Sequence, residues 1–194
     1  MSRWLQSALW ILAALPLLAG AAGAADVYLE LTTVGNGRYT VDGRFWTPAE
    51  VVGAWTILSD YNHLSDFIPS LKESHLRENE NDLVLYQEAN AQALGVFHRR
   101  LHILLHLTER AGREIEFKDI SHQDFEDYRG SWQIESAGGA GSWVIYHLEA
   151  KPNFFSPAVI ARKAFRANAR ALLLSVQTEM ERRNQLGDTH HCCS

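Results

Sequence analysis

Residues 26–46 alternate between apolar and polar positions. Val27, Leu29 and Leu31 take turns with Tyr28, Glu30 and Thr32, and Tyr39, Val41 and Phe45 resume after Gly35-Asn36-Gly37. A period of two predicts half-buried strands, and Asn-Gly between them predicts a hairpin because both residues accept positive φ. The period then changes. Thr47-Pro48-Ala49-Glu50 has the form of a helix start, with Thr47 as cap, Pro48 at the first helical position and Glu50 completing a capping box. Val51, Val52, Trp55, Ile57 and Leu58 give that short helix an apolar side, and a second one over about 62–68 stops at Pro69.

From 71 to 151 alternation returns, interrupted by turn signals near Glu80–Asp82, at Ala111-Gly112 and at Ala137–Gly141. Leu101, Ile103, Leu105 and Leu107 share one face of the clearest strand, opposite His102, Leu104 and His106. Ile115 and Phe117, Trp132 and Ile134, and Val144, Tyr146 and Leu148 repeat the pattern, so about six antiparallel strands with one buried face are expected. Ser156 and Pro157 then open a long helix, with Phe155 placed to staple onto Ile160. It is expected to run to about Asn184, with Gly187 as a stop. Arg162, Arg166, Arg170, Gln177 and Glu181 form its polar stripe; Ala161, Ala164, Phe165, Asn168, Ala171, Leu172 and Ser175 form the stripe expected to face the sheet. Two strands, two short helices, six strands and a long helix satisfy their half-apolar faces as an α+β fold, a curved antiparallel sheet wrapped on the last helix.

Composition changes this picture only at the ends. Arg3 precedes an uncharged run from Leu5 to Gly20 and the small-residue exit Ala21-Ala22-Gly23-Ala24-Ala25. That is the form of a signal peptide, so residues 1–24 are expected to be cleaved near Ala24 rather than kept as an anchor, leaving a secreted or periplasmic protein. The chain of 194 residues then divides into this leader, one domain over 25–187 and a flexible tail over 188–194. Its only cysteines, Cys192 and Cys193, lie in the tail, so no disulfide staples the domain. The net charge of −5 disfavours nucleic acid as a partner.

Thr47-Pro48-Ala49-Glu50, Trp55 to Tyr61, Leu64, Phe67 to Leu71, the strand Phe97 to Leu107 and Gly130-Ser131-Trp132 together resemble the START-like, SRPBCC superfamily. Within it, the likeness is to the polyketide cyclase/dehydrase or coenzyme Q-binding START-domain family, and it covers about residues 26–185. The resemblance implies a helix-grip fold whose sheet and last helix enclose a hydrophobic cavity. Small residues on the helix opposite Leu, Ile, Phe and Trp on the strands agree with unfilled space there. The expected cavity lining is Tyr61, Phe67, Ile68, Phe97, Leu101, Ile103, Phe117, Trp132, Tyr146, Ala164, Phe165, Asn168 and Leu172.

Little in the sequence points to catalysis. It holds no G-x-S-x-G elbow, H-E-x-x-H pair or P-loop, and no cofactor is expected. Asn168 is an amide in an apolar stripe, so it serves either a ligand or a sheet partner. Tyr146 and Trp132 each offer one polar atom to an apolar interior. Arg99 shares parity with Leu101 and marks either a cavity mouth or a strand end. His98, His102 and His106 share a face, but consecutive members sit too far apart along a strand for one metal ion, and no metal site is expected. Asp60, His63 and Asp66 read as capping and surface groups. His190-His191-Cys192-Cys193 reads as a chemically capable tail.

The expectation is therefore an exported, non-catalytic carrier or binding protein for a hydrophobic or lipid-like small molecule. A cyclase or dehydratase using the same cavity, with Tyr146, Asn168 or a histidine as acid/base help, is the alternative. Phe67, Ile68 and Phe154-Phe155 are candidates for an entrance or for transient membrane contact.

Overall fold

Eight strands pair into one antiparallel sheet in the computed structural model, which describes residues 27–77, 82–93, 97–139, 141–155 and 157–191, without the side chains of 91–98 and 188–191. The strands are β1 (Tyr28–Val34), β2 (Arg38–Thr47), β3 (Leu71–Arg77), β4 (Leu83–Ala93), β5 (Phe97–Arg110), β6 (Glu114–Asp119), β7 (Phe125–Ser136) and β8 (Ser142–Pro152). Their order is β1-β2-β8-β7-β6-β5-β4-β3. Only the β2–β3 connection must travel from one side of the sheet to the far edge. It does so through α1 (Val51–Leu58), a 3-10 turn (Tyr61–His63) and α2 (Leu64–Phe67). The long helix α3 (Ala158–His191) closes the structure. The fold is the α+β helix grip.

The curvature follows from what α3 touches. It packs on β1, β2 and β4, and also on α1 and α2. In the strand order β2 and β4 are five spacings apart, roughly 24 Å in a flat sheet. A helix about 10–12 Å across reaches both only if the sheet wraps around it. Alternation delivers the apolar face inward: Leu101, Ile103, Leu105 and Leu107 of β5 and Val144, Tyr146, Leu148 and Ala150 of β8 are all buried. Asn36 and Gly37 take φ of 65° and 72° at the first hairpin, as its Asn-Gly requires.

Several local expectations fail for identifiable reasons. The capping box is not made, because Thr47 belongs to the end of β2, its hydroxyl accepting from Ala49 N at 3.3 Å, and α1 starts after Glu50, whose side chain caps nothing. Val52 is 74% exposed, and Ala54 is buried in its stead with Ile57 and Leu58. The Phe155 staple is absent: Phe155 is 93% exposed. Gly187 does not stop α3, which continues to His191; an interior glycine costs only about 1 kcal/mol and this one keeps a helical backbone.

The buried stripe of α3 is also turned relative to the expected one. Ala171 is exposed, whereas Ala169, Leu173, Val176 and Met180 are buried. Gln177, expected on the polar stripe, is buried and donates from Nε2 to the Trp46 carbonyl at 3.0 Å. The helix serves β1 and β2 on one flank as well as the sheet above, so its apolar face is wider than one stripe. The expected leader (1–24), the cap residue Ser156 and Cys192-Cys193 lie outside the described residues, as do most of the Glu80–Asp82 turn and the side chains of His190-His191.

Candidate functional site

Between α3 and the central strands lies a cavity of about 220 Å³. Its deep end is closed by Leu58, Leu107, Ile115 and Val176, all buried. At the other end Ser70, Asn90, Phe154 and Ile160 stay half-buried, which places the opening between α2, the β4 end and the start of α3. Alanines on the helix make the space. Ala161, Ala164 and Ala169 form the roof where larger side chains would reach the strands.

One wall is aromatic. Phe117 of β6, Phe125, Tyr128 and Trp132 of β7 and Tyr146 of β8 interlock, with the Trp132 and Tyr146 rings 4.5 Å apart and Phe125 and Tyr128 4.8 Å apart. Burial pushes the Tyr128 hydroxyl up to about 12, with the neighbouring Tyr146 hydroxyl pulling it partly back. Burial likewise raises Tyr146 well above the ordinary phenol range. Both therefore stay protonated at neutral pH and act as hydrogen-bond donors rather than bases. Tyr61 is also raised by burial, and its hydroxyl donates to Glu109 Oε1.

Besides the Trp132 indole, the remaining polar side chains of the wall carry amides and a hydroxyl. Gln87 is tied to Ser74 Oγ at 3.5 Å, whereas the Asn168 side chain makes no hydrogen bond among the described residues. Asn168 thus leaves a donor and an acceptor free at the cavity surface. Among the described residues the wall contains no Asp, Glu, His, Lys or Arg. Arg99 sits beside the opening: it donates to Asp124 Oδ1 at 2.8 Å and its guanidinium lies 4.0 Å from the Phe154 ring centroid. That settles its position at the mouth, engaged by protein partners.

Of the expected lining residues, Tyr61, Ile68, Leu101, Ile103, Phe117, Trp132, Tyr146, Ala164, Phe165, Asn168 and Leu172 meet around this one cavity. Phe67 does not; it packs half-buried against the core, because α2 turns its neighbours Leu64 and Ile68 inward instead. The side chain of Phe97 lies outside the described residues.

The family model for polyketide cyclase/dehydrase and lipid transport matches residues 47–176, from the end of β2 to the middle of α3. The chain belongs to that family. Solved structures share the fold of this domain at low identity. The Zhui aromatase/cyclase from Streptomyces sp. R1128 is 15% identical with a TM-score of 0.63, over 75% of this chain and 95% of that one. The STAR-related lipid transfer protein from Xanthomonas axonopodis is 16% identical with a TM-score of 0.63, over 84% and 96%. A START superfamily protein from Mycobacterium smegmatis is 14% identical with a TM-score of 0.63, over 74% and 97%. No curated protein sequence matches the chain.

Tyr128 and Gln87 join the cavity wall beyond the residues expected from the sequence. Tyr128 has the even parity of Trp132 and Ile134, and that parity is its signal; the shift in β7 pairing between Phe125 and Asp127 lies beyond it and turns Phe125 inward out of that parity. Gln87 has the parity of Leu85 in β4, and that parity was the available signal. The described histidines of the central strands sit on the outer face beside carboxylates, with His102 near Glu88, His106 near Asp82 and His147 near Asp42. Among the described residues no histidine lines the cavity.

Proposed function

We propose that this START-like domain is an exported, non-catalytic carrier or binding protein that shelters a hydrophobic or lipid-like small molecule in the cavity. The observation that carries this reading is the uncharged wall: apolar surface closed at one end, with a few hydrogen-bonding groups. A ligand charge inside it would be desolvated without a partner, which is costly, so the enclosed part of the ligand is neutral. An apolar cavity of about 150 Å³ already accepts benzene, so this larger one has room for fused rings or a segment of acyl chain. Tyr128, Tyr146 and the free amide of Asn168 suit a ligand carbonyl or hydroxyl. Export is supported by the leader pattern of residues 1–24. The test is extraction of the purified protein into organic solvent followed by mass spectrometry. A recurrent neutral, apolar compound is expected; empty protein that also ignores a lipid panel would overturn the reading.

A cyclase or dehydratase is the second reading, favoured by the Tyr128 and Tyr146 hydroxyls meeting beside the cavity. Such an enzyme would have to use them as acids, since their raised pKa values deny it a base among the described wall residues. Incubating the extracted compound with wild type and with Tyr146→Phe separates the two. Conversion that stops in the variant would favour the enzyme, and unchanged compound in both favours the carrier.

A further inference from the structure

The first half of α3 carries an outer face with no counter-charge. Residues 158–178 include Arg162, Lys163, Arg166 and Arg170 but none of the chain's 23 carboxylates, in a protein of net charge −5. All four cations are exposed, and none makes an ion pair or hydrogen bond among the described residues. Elsewhere the cations are mostly engaged: Arg99 with Asp124, Arg100 with Glu88, Arg110 with Glu114, Arg129 with Glu149 and Lys151 with Glu126. At about 100° per residue, Val159, Arg162, Lys163, Arg166 and Arg170 fall within a sector of about 100°, along roughly 17 Å of helix. Val159 is 67% exposed, and Phe155, just ahead of the helix, is 93% exposed.

We infer that this face docks the domain on an anionic lipid bilayer. Four cations without partners complement an anionic surface, and exposed Phe155 and Val159 complement its apolar interface. A nucleic-acid backbone would match the cations and leave Phe155 and Val159 in water, so the lipid surface satisfies more of the patch. Position agrees with charge. Phe154 and Ile160, neighbours of the two exposed apolar residues, line the cavity at its open end, so docking brings that end to the bilayer. Of the four residues that the sequence offered for membrane contact, Phe155 alone is presented; Ile68 is buried, and Phe67 and Phe154 are half-buried. The inference is independent of what the cavity holds.

The test is cosedimentation of the full chain with vesicles of phosphatidylcholine and with vesicles of phosphatidylcholine and phosphatidylglycerol in equal parts. Three proteins are compared: wild type, the quadruple variant Arg162→Gln, Lys163→Gln, Arg166→Gln, Arg170→Gln, and the double variant Phe155→Ala, Val159→Ala. Every substituted side chain is exposed, so unchanged circular dichroism and melting temperature are expected and are checked first. Residues 1–24 are common to all three, so any difference reports on α3. Wild type should prefer the anionic vesicles, the quadruple variant should lose at least about 100-fold in partition coefficient, and the double variant about tenfold. Equal binding to both vesicle types, or wild-type binding by the quadruple variant, overturns the inference. So does tighter binding to a short DNA duplex that the double variant retains, which would make the patch a polyanion site. A protein that yields a cavity ligand but ignores vesicles loses this inference alone.

Discussion

The two halves of α3 meet the same sheet in opposite ways. From Leu173 to Met180 the helix is sealed against its surroundings: Leu173 and Met180 are 0% exposed and Val176 is 1%. Leu173 approaches β2 so closely that a Cβ at Gly43 would stand 2.5 Å from its Cδ1. Gln177 is bonded to the Trp46 carbonyl, and Glu179 accepts from Arg182 and Arg183 at 2.7 Å, with Arg183 reaching Asp60 at 3.4 Å. From Ala158 to Leu172 the inward residues are Ala161, Ala164, Phe165, Asn168, Ala169 and Leu172, and beneath them the interior is open. Phe165 is the exception, stacked on Tyr39 with ring centroids 4.7 Å apart. The difference shows that one helix can both anchor a fold and leave room in it, according to inward side-chain size.

The sharpest way to break this contrast is to truncate adjacent leucines. Leu173→Ala should cost about 3–4 kcal/mol in urea unfolding, because it deletes packed volume and leaves a void. Leu172→Ala, on the cavity wall, should cost nearer 1 kcal/mol, since part of its surface already faces unfilled space. Equal costs would show that the two halves are packed alike. Next in size is Gly43→Ala, expected to lose about 1–3 kcal/mol by pressing on Leu173. Combining it with Leu173→Ala should give less than the sum of the two losses, because the clash is gone; additive losses would place the strain elsewhere.

Glu179 tests the ionic part of the anchored half. Arg182 and Arg183 lower its carboxyl to about 2 from an ordinary 4.5. A depressed folded-state pKa stabilises above the ordinary value and is lost as pH falls through the folded one. Wild type should therefore lose an extra ~1–2 kcal/mol between about pH 4.5 and 2 relative to Glu179→Gln, the partners' exposure reducing the effect. Parallel acid-unfolding curves for the two proteins would contradict this.

The smallest effects on stability belong to the open half. Ala164→Leu should fill the cavity, changing stability by no more than about 1 kcal/mol while abolishing ligand recovery by extraction. Asn168→Leu should leave stability within about 0.5 kcal/mol, because its amide has no partner to lose among the described residues. Its signature is weaker retention of a ligand that carries a carbonyl or hydroxyl, measured against the apolar analogue.

Much of the fold was legible because strand faces repeat every two residues. Leu101 to Leu107 and Val144 to Leu148 declared both strand and inward face, and the Asn-Gly hairpin declared its turn. These patterns also brought most of the cavity wall within reach. Helix ends and faces were harder. Thr47 and Glu50 spelled a capping box that the β2 register pre-empted, and Gln177 looked polar but found the Trp46 carbonyl inside. Phe125 turns inward through the shifted pairing of β7, which no alternation count reveals.

By itself the sequence determined the element order, the inward parity of the strands and the run of alanines that keeps the helix small at one end. Those are local properties, written in neighbouring residues. Only the tertiary structure decided that α3 spans both flanks of the sheet and that Leu173 seals one end while Asn168 faces space at the other. It also decided that the free cations lie beside the opening. These facts depend on where distant segments meet, and side-chain periodicity holds no information about that.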